Sequence, residues 1–336
     1  MKITKTIISG TPEVALEDDL PGAEPEPEHK VLTFGPLHHG LRLDLALVDL
    51  VPEFSRHYLQ QLIDLEAVSV NGRVIRKQSF KVKATDKGVI ELRPTPQSQA
   101  FKAEYIPMDM VYVDEHLLVI NKPAGLVVHP APGNWRGTLM NALLGFDSQA
   151  FNLPRAGIVH RLDKDTSGLM VVARSRTVMD ALVGAIAART VKRHYLAIAH
   201  GAWQGTPERE VNSPIGRDPA NRLRMAVVDL AKSPGKLART GFTHLASCDS
   251  GCLVQCSLHT GRTHQIRVHM ASISHPLVGD ELYGGKLAAG MFRQALHAHR
   301  LAFTHPVTLQ PLVFCARLPD DFAQGLTLWG LKYNET

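Results

Sequence analysis

A chain of 336 residues with 44% apolar and 6% aromatic side chains has room for two domains and a sizeable core. No apolar run reaches the ~18 residues of a membrane span, and MKITKTIISG lacks the long apolar stretch of a secretion signal, so the expectation is a cytoplasmic protein with no membrane role. The net charge of +5 is uneven, with −4 on residues 1–30 and +9 on the rest, a basic body that suits a polyanion such as nucleic acid.

Residues 1–30 are acidic, with a Pro-rich stretch and little to bury, and are read as a disordered tail. A small module is expected over 31–93. Leu41 to Val51 has helical apolar spacing and ends at Pro52. Ser55 can cap a second helix whose apolar face carries Tyr58, Leu59, Leu62 and Ile63. Alternation at 67–70, the turn signal Asn71-Gly72 and the run 73–75 predict a hairpin, and Val89 to Leu92 a further strand. Arg42, Arg56, His57, Arg73, Arg76, Lys77, Lys81 and Lys83 cluster on this module. With Arg-Leu-Asp opening the first helix and Val-Asn-Gly in the hairpin, it resembles the S4 RNA-binding domain. The basic residues are then RNA contacts.

Residues 94–104 are polar and Pro-containing, a linker, and 105–336 form a second domain dense in strands. Met110 to Val113 and Leu117 to Ile120 flank a turn at 114–116. Thr177 to Arg189 is helical, with Val178, Leu182, Val183 and Ile186 inward, and Val191 to Ala199 is a strand. Thr240 to Cys248 and Cys252 to Leu258 form a hairpin, Thr263 to Ile273 a short helix, and Leu296 to Phe303 pairs with Leu312 to Leu318. Strands in runs with a few helices predict an α+β fold with a mostly antiparallel sheet. Cys248, Cys252 and Cys256, spaced by four, share one strand face as buried thiols. With Cys315 they offer no zinc spacing.

Three stretches are richer in chemistry than packing requires. In GIVHRLDKDTSGLMVVARS, at 157–175, five ionisable side chains fall within His160 to Asp165 between two apolar runs, where charge is costly unless paired or used. In KRHYLAI, Tyr195 shares its strand face with Ala197 and Ala199, which leaves room for a planar ligand against its ring. In HTGRTHQIRVH, Gly261 allows a sharp turn into a helix capped at Thr263, and Arg267 can pair with a carboxylate elsewhere in the core. Asp165 is expected to hold the turn through Thr166 and Ser167.

HRLDKDTSG, KRHYLAIA and GRTHQIRVHM followed by HPLVGDELYGG, with VINKPAGLVVHPAPGN at 119–134, are similar to the motifs of the RluA-type pseudouridine synthases. The S4-like module in front is the layout of their RluD branch. The resemblance spans about residues 40–320 and implies the pseudouridine synthase fold and activity, without a cofactor. It implies that Asp163 is the catalytic carboxylate, Tyr195 stacks on the target base and Arg267 pairs with the Asp. It also implies that Arg161 enters the RNA beside the flipped nucleotide, with His160 and Arg262 as neighbouring contacts. Uridine must be flipped out, its C1′–N1 bond broken and C1′–C5 formed. A carboxylate can attack C1′ or C6, or act as a base at C2′. The substrate implied is large-subunit 23S ribosomal RNA at the stem-loop called helix 69, or other sites in that RNA as in the RluC branch. The RNA is met free or in the 50S subunit, by a monomer.

Two other readings fit parts of the chain. Asp163-Lys-Asp165-Thr166 comes close to the DxDxT pattern of aspartyl-phosphate phosphatases, which needs Mg²⁺, but its Thr stands one place early and His160 and Arg161 are not the apolar strand that pattern follows. A non-catalytic S4-type RNA-binding protein would leave the dense motifs of the large domain unused. His264 and His269 are five apart, a poor fit to a metal-binding helical pair.

Overall fold

The structure, a computed structural model, describes residues 28–52, 54–92, 101–131, 133–221 and 224–333. Most of the acidic tail, most of the linker and the side chain of His57 lie outside the described residues. The chain divides into two compact units, Met1–Thr95 and Pro96–Thr336.

In the first unit, β1 (Glu28–Thr33) pairs antiparallel with β4 (Lys87–Leu92), followed by β2 (Val68–Val70) and β3 (Arg73–Val74). The sheet therefore begins at Glu28, inside the segment read as tail: its Cα partner is Leu92, and the ladder continues to Thr33 opposite Lys87. Helices α1 (Leu43–Leu50) and α2 (Arg56–Asp64) pack on this sheet through Leu43, Leu47, Leu59, Leu62 and Ile63. Ser55 caps α2 by accepting the Tyr58 N–H, and Asn71 and Gly72 both have positive φ, the geometry of a tight hairpin turn.

The second unit is built on one nine-stranded sheet. Its strands are β5 (Asp109–Val113), β6 (Leu117–Lys122), β7 (Ser167–Ala173), β8 (Lys192–His200), β9 (Glu208–Asn212), β13 (Arg239–Ser247), β14 (Gly251–Leu258), β15 (Leu296–Thr304) and β16 (Pro311–Cys315). A small second sheet holds β10 (Ile215–Arg217), β11 (Met225–Val227) and β12 (Gly235–Lys236). The order in the large sheet is β5-β6-β7-β15-β8-β14-β13-β9, with β16 beside the far part of β15. Only β7 and β15 run parallel among these pairs, over two residues.

Helices cover both faces. Tyr195, Ala197 and Ala199 of β8 pack in one cluster with residues of α3 (Leu139–Phe146) and α5 (Gln265–Ser272). Leu196 and Ile198 face the other way, toward α6 (Asp320–Leu328), while α4 (Arg176–Ala187) covers β6 and β7. All seven residues of β7 are buried, hence its unbroken apolar run.

Local readings shift where tertiary contacts decide. Val183 of α4 is exposed and only Val178 and Leu182 are fully inward. Cys252 and Cys256 are buried among the Tyr195 cluster, and burial pushes Cys252 up to about 12 and Cys256 higher still. Cys248 opens the β13–β14 turn, so strand periodicity does not carry across to it, and it packs in the opposite cluster. The helix starts at Gln265, not Thr263: His264 is its N-cap residue, in the left-handed region at φ 56° and with no side-chain cap bond. Among the described residues no helix is long and apolar enough to cross a membrane.

Candidate active site

The loop 160–166 leads into β7, and its place is fixed from several sides. Gly168, at φ 116°, lies so close to β15 that a Cβ would meet the Ala298 carbonyl oxygen at 2.3 Å; only glycine lets the loop descend there. The buried Lys122 donates from Nζ to the carbonyls of Pro123, Leu126 and Lys164 at 2.8 to 2.9 Å, pinning the backbone just after Asp163. Burial pushes this ammonium down to about 8, against the pull of Asp165 and Asp163. Arg293 donates to the Asp165 carbonyl at 3.0 Å, and Thr166 donates its N–H back to the Asp163 carbonyl at 3.2 Å. The hydroxyls of Thr166 and Ser167 bond Gln294 and His297, so the turn is held from the β15 side rather than by the Asp165 carboxylate.

Asp163 is brought to Arg267 across 104 residues of sequence, with Nη1 donating to Oδ2 at 3.1 Å. Arg267 is buried, not on a solvent face, because Asp280 takes its Nε and Nη2 at 2.7 and 2.8 Å. Burial disfavours the guanidinium charge, but Asp280 and then Asp163 outweigh it and raise its pKa further. Its Cζ lies 5.0 Å over the Tyr283 ring. Sequence reasoning missed Asp280. Its one signal is a carboxylate just after the apolar Leu277-Val278, behind Gly279, whose φ of 73° and approach to the Arg293 backbone leave no space for a side chain.

A cavity of about 1040 Å³ opens onto Asp163 and is lined by His160, Arg161, Tyr195 and Arg262, all singled out in the sequence. Arg155, Arg189 and Arg193, which were not, also line it, while Asp163 is the sole carboxylate among its lining residues. Five arginines converge from separate elements, which no linear pattern announces. Buried Arg193 leaves its Nε without a hydrogen-bond partner among the described residues. His129, also in the lining, is pushed down to about 4 by burial and then by Arg161 and Arg155. The fixed charge of the cavity is thus carried by guanidinium groups.

Several expected RNA contacts have internal duties. His160 Nε2 accepts the Val171 N–H at 3.1 Å, completing the edge of β7 where its pairing with β15 has ended, and burial pushes the ring down to about 3. Arg262 is tied to the Leu237 carbonyl at 3.1 Å. In the first unit, Arg42 and Arg56 both bond the buried Asp44, joined by Gln60, and Arg76 pairs with Glu66. Both Asp44-bound guanidiniums remain about half exposed, so they still present charge. Arg73, Lys77, Lys81 and Lys83 are exposed. Among the described residues no group of three or more His, Cys, Asp or Glu is placed to hold a metal ion.

The cavity can take up a phosphate-bearing polymer, lay a planar base against Tyr195 and present one carboxylate to it. Comparisons with known proteins point the same way. Residues 116–272 match the family model described as RNA pseudouridylate synthase, and residues 41–87 match the S4 domain. The chain is 47% identical over 292 residues to a ribosomal large subunit pseudouridine synthase D from Nitrosomonas europaea, covering 84% of this chain and 83% of the relative. A protein of the same description from Neisseria meningitidis serogroup A is 45% identical, with 87% and 80% covered. Among solved structures, human RNA pseudouridylate synthase domain containing 4 is 25% identical with a TM-score of 0.54, covering 68% of this chain and 95% of that one.

Proposed function

The chain belongs to the RNA pseudouridylate synthase family, and from that premise we propose that it isomerises uridines of large-subunit ribosomal RNA, those of the helix 69 stem-loop in particular. The observation that carries the reading is the cavity itself: five arginines for the phosphates and a single carboxylate, Asp163, for the reaction. The descriptions of its relatives support the choice of RNA.

In this reading Arg161 enters the helix as the target nucleotide swings out, and Tyr195 stacks on the flipped base. Arg267 holds and orients the Asp163 carboxylate. Asp163 acts on the nucleotide by attack at C1′ or C6, or by removing the C2′ proton. The C1′–N1 bond breaks, the uracil turns, C1′–C5 forms, the carboxylate leaves C1′ or C6 or returns the C2′ proton, and the C5 proton is lost as N1 gains one. The exposed basic residues of the first unit anchor the RNA through phosphates. The chain works as a cytoplasmic monomer on the RNA, free or in the assembling large subunit.

The test is a map of pseudouridines in ribosomal RNA from cells with and without this protein. Loss confined to helix 69 supports the assignment. Loss at other large-subunit sites moves the target within the same RNA, and an unchanged map refutes the ribosomal substrate.

A further inference from the structure

A line of hydrogen bonds leads to Asp163 from the small sheet. Met225 of β11 donates its backbone N–H to the Tyr283 hydroxyl at 3.0 Å. The hydroxyl, having accepted there, directs its own proton to His264 Nδ1, 2.8 Å away. Burial disfavours the imidazolium form of His264. A neutral imidazole that accepts at Nδ1 carries its proton on Nε2. Nε2 is the atom that faces Asp163, 3.9 Å from Oδ1. The other oxygen, Oδ2, is the one bonded by Arg267.

Two further observations bear on the ring. His264 sits at φ 56°, a conformation that side-chain-bearing residues adopt infrequently and that gathers at functional sites when the surroundings impose it. It lines a second cavity, of about 300 Å³, together with Asp163 and Arg267, and is not among the residues lining the large one. A smaller cavity places it beside Tyr195 as well, and in both cavities Asp163 and Arg267 are its neighbours. At 3.9 Å the contact is about 1 Å longer than a hydrogen bond, and such bonds commonly shorten when substrate binds.

We propose that His264 is a positioning residue for Asp163: its Nε2–H closes on Oδ1 when RNA fills the cavity, fixing the second oxygen, and Tyr283 ties that donor to β11. This rests on Asp163 being the reacting carboxylate. It makes the small sheet, through one backbone N–H, part of what aligns the reaction.

The experiment measures single-turnover tritium release from C5-labelled RNA at saturating protein, beside RNA affinity and thermal melting. His264→Gly removes the ring and suits the left-handed backbone, so folding is spared. Its rate falls about 10- to 100-fold with affinity held within about twofold. His264→Gln, whose amide reaches about as far as Nε2, recovers most of that rate. Tyr283→Phe keeps the ring under Arg267 but loses the hydroxyl; it slows the reaction, and the double variant with His264→Gly is no slower than His264→Gly alone. A wild-type rate in His264→Gly, no recovery in His264→Gln, or full additivity of the two losses overturns the proposal. Asp163→Asn run in parallel separates the failures: if it is inactive while His264→Gly is not, only the role of His264 falls, and if it is active the reading of the site falls with it.

Discussion

Arg267 and Asp280 form a two-pronged pair, at 2.7 and 2.8 Å, that leaves a single guanidinium nitrogen for Asp163. Asp280 is fully buried on its side chain and so fixes the Arg plane rather than merely neutralising it. Asp280→Asn keeps the shape but loses the charge. The rate of tritium release at saturating RNA should fall about 10- to 100-fold, with RNA affinity unchanged. Arg267→Lys should be no better, since an ammonium cannot hold two carboxylates in a fork. Rates within threefold of wild type would show that the pair is structural only.

Asp163→Asn should abolish pseudouridine formation, by more than about 10³-fold, in a protein that still folds and binds RNA. Among the described residues the large cavity offers no second carboxylate to stand in. Activity within tenfold of wild type would remove Asp163 from the chemistry.

Asp44→Asn should destabilise the first unit by about 2 kcal/mol, because Arg42, Arg56 and Gln60 all converge on that carboxylate. The half exposure of both guanidiniums keeps the figure modest. Burial alone would raise the Asp44 pKa, but the bonds from Arg42, Arg56 and Gln60 overcome it and hold it well below the usual range. Its contribution is therefore present above about pH 4 and lost as pH falls below that. Denaturation of wild type and variant at pH 7 and pH 3 measures both; a difference no smaller at pH 3 than at pH 7 would deny the charge its role.

Burial pushes three imidazoles down, His129 and His297 to about 4 and His160 to about 3. Unfolded, each titrates near 6.5, so between about pH 6.5 and pH 4 the unfolded chain binds more protons than the folded one. Stability of the second unit should fall across that window, by up to about 1.4 kcal/mol per pH unit for each ring. Denaturant midpoints at pH 7.5, 5.5 and 4.5 read this directly, and a flat profile would contradict it.

Arg193→Met should weaken RNA binding and flatten its salt dependence by a slope of about 0.7 to 0.9, the signature of one lost phosphate contact. The buried side chain, whose Nε lacks an internal partner, lines the cavity, which motivates the variant. An unchanged slope would assign Arg193 to packing.

How much of this could be read beforehand follows from the range of the forces involved. The face shared by Tyr195, Ala197 and Ala199, the Ser55 cap and the Asn71-Gly72 turn are set by neighbours in sequence, and each stands where expected. The Asp163–Arg267 contact was legible through the family resemblance, the residues alone saying only that Arg267 could meet a carboxylate elsewhere in the core. Asp280, Lys122 and the arginines 155, 189 and 193 act through elements far apart in the chain, where spacing carries no signal. Arg42 and Arg56 read as free cations because Asp44, although adjacent, gives no hint in sequence that its side chain turns inward to meet both.

The position of β15 has a consequence for how the chain is made. It lies between β7 and β8, yet it is synthesised about a hundred residues after them. Until residue 304 has emerged, the β8 edge from Lys192 to Ala197 stands unpaired, open to any other extended segment, and β7 lacks its two-residue partner. The first unit is complete long before that and can hold RNA while the nascent chain still lacks Asp280 and the strand that closes the sheet. Assembly of the reaction centre thus waits on contacts of high sequence separation, the kind that slow folding most. A translational pause before β15 has emerged would prolong the aggregation-prone interval, whereas one after its emergence would not.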